Sequence, residues 1–228
     1  MPGKERPFYW TPPFSAGCKI FHLKKATAYI GKISMKTSLR VTLRAARNAI
    51  PQQYRLYAEQ QIVKQIISHP IFFRSKDIAF YMANDGEINV FNLLEKTLAL
   101  GKRIYLPKLH PTRQQELLFL PYTLQSPLIN NRYDIPEPEI THSRIRPVWS
   151  LDLLFMPLVG FDRFGNRLGM GSGYYDKTLS RILTQPQLPR PKLVGCAFDI
   201  QETDKLPHDL WDIPLDFILT EHRLIEVM

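Results

Sequence analysis

Cysteine is nearly absent. The 228-residue chain has two, Cys18 and Cys196, too few for a disulfide scaffold and too far apart to pair on a metal. That usage suits a reducing compartment, and a cytoplasmic location is expected. The six histidines are scattered, with no H-x-x-x-H and none beside a cysteine, which excludes the common zinc patterns. No apolar run approaches the length of a membrane span, and the N-terminal region lacks the apolar core of a secretory signal. There is no G-x-S-x-G elbow, since Ser172 follows Gly171 directly, so acyl-enzyme chemistry is not expected. Glycine is sparse too, at 11 residues, yet four fall within nine positions: 165, 169, 171 and 173.

That cluster is the most informative stretch of the chain. Gly165-Asn-Arg-Leu-Gly-Met-Gly-Ser-Gly-Tyr-Tyr-Asp176 leads into a helical pattern carrying Lys177 and Arg181. Dense glycine lets a backbone turn tightly and bring bare N–H groups close to a ligand. An N–H-rich loop that feeds a helix N-terminus suits an anion, above all phosphate. The P-loop pattern is not met, because Gly173 is followed by tyrosine rather than Lys-Ser or Lys-Thr. The dinucleotide fingerprint is not met either, because the spacing is G-x-G-x-G. An ordinary strand-to-helix turn is the plainer alternative.

The formal net charge is +9, unevenly spread. Residues 1–34 carry six basic residues against Glu5 alone, so more than half of the excess lies there. A charge of this size fits an enzyme with an anionic substrate and does not by itself call for nucleic acid. Residues 1–34 show no period, and Met35-Lys36-Thr37-Ser38 reads as a chain start with a helix cap. The first 34 residues are therefore expected to be a disordered or spurious extension, with one domain over 35–228. A monomer is expected.

From Ser38 the pattern is helical. Leu39, Leu43, Ala46 and Ile50 share one face; Lys36, Arg40, Arg44 and Arg47 share another. Such a basic face is usually solvated, and the sharper alternative is a row of cations reaching for phosphates. A second helix is expected over 52–68. Short apolar runs then alternate with helical stretches: strands at 78–83, 103–107, 117–122, 153–159, 193–198 and 217–220, and helices at 89–100 and 174–184. Residues 125–148 read as a polar, proline-rich connection. Near-continuous apolar strands separated by helices predict a three-layer α/β/α sandwich with a mostly parallel sheet. Ligands of such sheets sit at the carboxyl ends of strands, where the glycine loop falls.

Two more acidic stretches belong to that rim. Asn84-Asp-Gly-Glu-Ile-Asn89 follows a strand and offers Asp85 and Glu87, against an ordinary Asp-Gly turn or a helix cap. Asp209 and Asp212, three residues apart, could share one side of a turn and supply oxygen ligands to a magnesium–nucleotide site. A phosphate loop, a row of cations and rim carboxylates together suit phosphoryl transfer, where catalysis is mainly positioning and charge neutralisation.

The string MPLVGFDRFGNRLGMGSGYYD resembles the signature of the 5-formyltetrahydrofolate cyclo-ligase family, also called 5,10-methenyltetrahydrofolate synthetase. Lys36-Thr-Ser-Leu-Arg40, Asp85-Gly-Glu-Ile-Asn89 and Leu206–Asp216 are similar to three further segments, in order, over residues 35–221. The resemblance implies ATP-dependent conversion of 5-formyltetrahydrofolate to the methenyl form with release of ADP and phosphate. It also implies ATP contacts at Lys36, Arg40, Arg167, Leu168, Gly169, Met170, Gly171, Ser172, Gly173, Tyr174 and Tyr175. Magnesium would be held by Asp176 and Asp212, and the reduced folate met by Met82, Glu87 and Tyr174. Many members carry Arg and Lys where this chain has Met170 and Ser172, so a side-chain phosphate role is not expected at those two positions. On the residues alone, two other readings stay open. One is a sugar-phosphate isomerase or coenzyme A transferase-like enzyme with Glu87 as nucleophile. The other is an RNA-binding module using the basic tail and helix.

Overall fold

The computed structural model describes residues 28–140, 145–183, 185, 187–209 and 211–227. Residues 1–27, with Cys18 and most of the expected extension, lie outside the described residues. Helix α1 runs Ala28–Asn48, so it passes through the cap expected at Thr37-Ser38. Thr37 Oγ1 donates back to Ile33 O at 2.9 Å and caps nothing. No proline interrupts the stretch between Ala28 and Ser38.

Helices α2 (Gln52–Ile67), α3 (Pro70–Arg74), α4 (Phe91–Ala99) and α5 (Tyr174–Leu183) follow in order. The central sheet is built from β1 (Asp77–Ala79), β2 (Arg103–Leu109), β3 (Leu117–Tyr122), β6 (Leu153–Pro157), β9 (Lys192–Cys196), β10 (Phe217–Leu219) and β11 (Leu224–Glu226). Their spatial order is β11-β10-β9-β6-β1-β2-β3. Neighbours pair in parallel except at the two edges, where β3 and β11 run antiparallel. Two small hairpins stand apart, β4–β5 (Leu128–Asn130, Pro136–Pro138) and β7–β8 (Gly160–Phe161, Arg167–Leu168).

Strand alternation divides the core between the two faces of the sheet. Leu153 and Phe155 pack with Ile62 and Ile66 of α2 and Leu93 of α4. Leu154 and Met156 pack with Leu179 and Ile182 of α5. Both faces are thus covered, as expected of near-continuous apolar strands, and the three-layer reading stands. The short strand at 78–83 is shorter in the ladder than expected, because the chain leaves it after Phe80 N donates to Tyr105 O at 3.0 Å. The expected helix start at Asn89 moves to Phe91, whose N–H donates to Asn89 Oδ1 at 2.9 Å. The stretch over 125–148 is not plain connection, since it folds the β4–β5 hairpin.

The expected apolar face of α1 is largely as read. Leu43 and Ile50 are buried, and Leu43 lies so close to Gly160 that a Cβ there would fall 2.5 Å from its Cδ1. The basic face is engaged by protein partners, although Arg44 stays partly exposed. Arg47 is completely buried. It donates to Leu158 O at 3.2 Å, Asp85 O at 2.6 Å and Asp85 Oδ2 at 2.7 Å. Arg44 would still compensate the Asp85 carboxylate without Arg47, but the Leu158 and Asp85 carbonyls would lose their charged donor, at about 3 kcal/mol together. Arg47→Met should therefore lower the melting temperature by roughly 6–12 °C for a domain of this size. Thermal unfolding followed by circular dichroism checks it, and a shift under about 2 °C would mean the contacts are dispensable.

Candidate active site

Strands β1 and β6 are neighbours at the centre of the sheet, and the chain leaves them in opposite directions. After β1 it moves outward to β2 and β3; after β6 it moves the other way through β9 to β10. Such a reversal opens a crevice beyond the carboxyl ends of the two strands. The segment after β1 carries Asp85 and Glu87, and the segment after β6 carries the glycine loop. Arg47 ties these two segments together through Asp85 and Leu158.

The remaining cations of α1 are spread along the same rim. Lys36 Nζ donates to Asp209 Oδ2 at 2.6 Å and Asp212 Oδ2 at 2.9 Å. Burial opposes its charge, but the two carboxylates outweigh that and hold its pKa above the ordinary lysine value. Arg40 Nε donates to Gly169 O at 2.8 Å. Its guanidinium lies against Gly171, where a Cβ would stand 3.5 Å from Cζ. Arg44 forks onto Asp85, at 2.7 and 3.0 Å. That fork, with Arg47 beside it, holds the Asp85 carboxyl below the usual range. The expected row of cations is therefore not free: it stitches α1 to three loops.

The β7–β8 hairpin aims the glycine loop. Its turn is organised by Asp162, which is fully buried and accepts from Phe164 N, Asn166 N, Asn166 Nδ2 and Leu206 N at 2.8–3.0 Å. Gly165 adopts φ +80°, and a Cβ there would meet Leu215 O at 2.8 Å, so only glycine fits the turn. The side chain of Arg167 is buried, pairs with Asp176 and donates to Ile213 O. Leu168 is a core residue packed with Leu43 and Val159, so only its backbone can face a ligand. Beyond it, Gly171 and Gly173 take φ +106° and +69°, and residues 170–173 are exposed. Among the described residues, the N–H groups of Met170, Gly171, Ser172 and Gly173 donate to no protein acceptor. They lead straight into the first turn of α5, whose N–H groups are also unpaired by helix geometry.

Asp176 and Asp212 are the expected magnesium ligands. Ile213 N, next to Asp212, donates to Asp176 Oδ1 at 3.4 Å, so the two carboxylates come from adjoining segments. Each is held by a cation, Asp176 by Arg167 and Asp212 by Lys36. Two carboxylates beside an N–H-rich loop match what a magnesium–nucleotide site takes from protein, with phosphate and water supplying the rest. Among the described residues, no group of three or more His, Cys, Asp or Glu gathers in metal-binding geometry.

The residues expected to meet the folate do not share one environment. Met82 is half-buried against the core. Tyr81, buried, donates to Ile88 O at 2.6 Å and shapes the segment that ends at Glu87. Glu87 accepts from Asn84 N at 3.0 Å, and burial pushes its pKa up to about 7. Tyr175 is half-buried, and burial with the nearby Glu87 charge raises its phenol well above the ordinary value. Tyr174 points elsewhere, to the turn of β4–β5. Its hydroxyl accepts from Arg132 and lies 3.1 Å from Tyr133 Oη.

Several contributors were not singled out from the sequence. Arg132 and Tyr133 sit in the stretch read as connection. Gln201, buried, donates to Leu158 O and Val159 O at 2.9 Å and supports the segment after β6. Asp162 lies within the signature string, but nothing local marks it as the organiser of its turn.

Glu87 makes the protein's stability depend on pH with a definite sign. Its folded pKa of about 7 lies above the ordinary value of 4.5, so the folded state holds the proton more tightly. The stability this contributes is present below about pH 4.5 and is lost as pH rises through about 7. Glu87→Gln should therefore gain melting temperature relative to the parent between pH 5 and pH 8. A difference that stays constant across that range would show that Glu87 is already ionised at pH 5.

Comparison with known proteins agrees with the geometry. The profile of the 5-formyltetrahydrofolate cyclo-ligase family matches residues 32–221. The chain is 38% identical over 187 residues to 5-formyltetrahydrofolate cyclo-ligase of Escherichia coli K12, covering 81% of this chain and 99% of that protein. It is 36% identical over 184 residues to the Haemophilus influenzae protein of the same name, covering 81% and 96%. Its fold is similar to the solution structure of 5,10-methenyltetrahydrofolate synthetase from Aquifex aeolicus, with a TM-score of 0.71 and 28% identity, covering 85% of this chain and 93% of that one. The crevice between β1 and β6, its glycine loop and its rim of paired charges thus belong to a member of the 5-formyltetrahydrofolate cyclo-ligase family.

Proposed function

We propose that this protein converts 5-formyltetrahydrofolate to 5,10-methenyltetrahydrofolate with ATP as phosphoryl donor, releasing ADP and phosphate. The observation that carries the nucleotide half is the loop Met170–Gly173, whose N–H groups lack protein acceptors beside the first turn of α5. Unpaired N–H groups at a helix N-terminus stabilise phosphate oxygens without any lysine. Arg40 supports the same role, since only its Nε is bonded to protein among the described residues, leaving both Nη groups for phosphate. Asp176 and Asp212 would hold magnesium, which when bound offsets charge on the phosphates.

The chemistry follows from a poor leaving group. A formyl amide oxygen does not depart as such. Transfer of the γ-phosphoryl group onto it makes it departable, and the formyl carbon becomes electrophilic. The neighbouring folate nitrogen, N10, then attacks that carbon, phosphate leaves with the former formyl oxygen, and the N10 proton is lost. The chain's own part is positioning. The glycine loop orients the phosphates, and Met82 and Tyr175 give the folate a half-buried wall. Glu87, half-buried and poised near neutral pH, can accept a proton.

The growth of methenyl absorbance, with and without ATP, tests the activity. Product should form only with ATP; equal rates without it would overturn the reading. Asp176→Asn should raise the magnesium concentration needed for half-maximal rate by about tenfold or more, and an unchanged magnesium dependence would remove Asp176 from the metal site. Met170, exposed on the loop, offers a complementary test. Met170→Arg adds a cation beside the phosphates and should lower KM for ATP by roughly threefold at low salt, with the gain shrinking as salt rises. A higher KM in a folded variant would mean that the loop tolerates no bulk there.

A further inference from the structure

The β4–β5 hairpin is small, yet it is anchored with unusual care. Glu137, buried, accepts from Lys108 Nζ at 2.6 Å and Leu109 N at 3.0 Å, which fastens the hairpin to β2. Asn131 Nδ2 reaches the same carboxylate at 3.2 Å. Asn131 Oδ1 accepts from Tyr133 N at 2.9 Å and Ile135 N at 3.3 Å, which fixes the turn. On that turn Arg132 and Tyr133 stand against Tyr174. The rings of Tyr133 and Tyr174 meet edge to face at 6.1 Å, and the Arg132 guanidinium lies 5.1 Å from the Tyr133 ring centre.

Arg132, like Arg40 and Arg55, pairs with no carboxylate among the described residues, and unlike those two it is held at a hairpin tip by side chains alone. Arg44, Arg103, Arg163, Arg167 and Arg190 each rest on a carboxylate. Arg132 rests on a phenol oxygen and a ring face, and among the described residues it has no carboxylate partner. A phenol oxygen holds a guanidinium in place while leaving its charge uncompensated, which is the arrangement of a receptor for an incoming anion. The phosphate loop is served separately, by Arg40 from α1. The hairpin instead stands on the β3 side of α5, where Thr178 Oγ1 accepts from Leu117 N at 2.9 Å.

We propose that Arg132, held by Tyr133 and Tyr174, is a specificity residue that takes a glutamyl carboxylate of the folate. The inference rests on the folate reading above. That substrate carries an aromatic p-aminobenzoyl ring followed by carboxylates, and the hairpin tip presents aromatic edges followed by a guanidinium.

Steady-state kinetics of Arg132→Ala test it. KM for 5-formyltetrahydrofolate should rise by roughly tenfold, the scale of a lost charge-assisted hydrogen bond, with kcat and KM for ATP unchanged. Arg132→Lys should recover part of the loss, because a point charge lacks the fork. On 5-formyltetrahydropteroate, which has no glutamyl group, parent and Arg132→Ala should have equal KM. A rise in KM for ATP would overturn the proposal in favour of a nucleotide phosphate. An equal loss on the pteroate substrate would overturn it in favour of mere support for Tyr174. A parent that turns over folate alongside an indistinguishable variant would overturn this inference and leave the activity standing. A parent inactive on folate would remove both.

Discussion

The buried guanidinium of Arg47 is the constraint on which the site depends. A parallel sheet whose chain reverses direction between β1 and β6 leaves an open crevice there, and the segments flanking it lie outside the central ladder. Arg47 spans the gap. It bonds a backbone carbonyl on each side, Leu158 and Asp85, and the Asp85 carboxylate as well. A fully buried cation is tolerable only when so partnered, and the partners are thereby pinned. Arg55 reinforces the arrangement by donating to Gly86 O at 2.7 Å and to Arg47 O, with its guanidinium 5.4 Å from the Phe198 ring centre.

The rest of α1 extends the same principle along the rim. One helix face presents Lys36, Arg40, Arg44 and Arg47 in succession; the first two reach separate loops, and the last two share Asp85. The acceptors are the pair Asp209 and Asp212, the carbonyls of Gly169 and Leu158, and Asp85. The helix therefore sets the positions of the loop that would meet phosphate, the carboxylates that would meet metal, and the segment that ends at Glu87. Charge on these side chains is not idle while it does so. The Nη groups of Arg40 and the N–H groups of residues 170–173 stay unbonded to protein among the described residues, which makes the glycine loop the electropositive gap in an otherwise neutralised rim.

Against that rim the inner crevice is a place where ionisable groups lose water. Glu87 is pushed up to about 7, and the phenols of Tyr81 and Tyr175 and the thiol of Cys196 are all raised, in each case chiefly by burial. An apolar, half-closed wall beside an N–H-rich loop separates the two tasks of the proposed reaction. One side handles dense negative charge, and the other excludes water from a reactive carbon.

Local physics made much of this legible in the sequence. Alternating apolar strands and helices specify a covered parallel sheet, because strands buried on both faces must be apolar throughout. Glycines at 165, 171 and 173 mark positive-φ turns, and the length of MPLVGFDRFGNRLGMGSGYYD identified the family before any coordinate. What only the tertiary structure decided is who meets whom. A basic helix face reads the same whether it is solvated, binds phosphate or forms ion pairs, since the periodicity is identical and the partners lie 38 to 176 residues away. The start of α1 was misplaced because a Thr-Ser cap signal is local, whereas the helix continues through it. The β4–β5 hairpin is not legible because its strands are three residues each and one reads Pro-Glu-Pro, and it is fastened to β2 through Glu137 and Lys108, a buried pair that only the folded chain brings within 2.6 Å. Burial of a charge is a property of the packed molecule, and no window of sequence contains it.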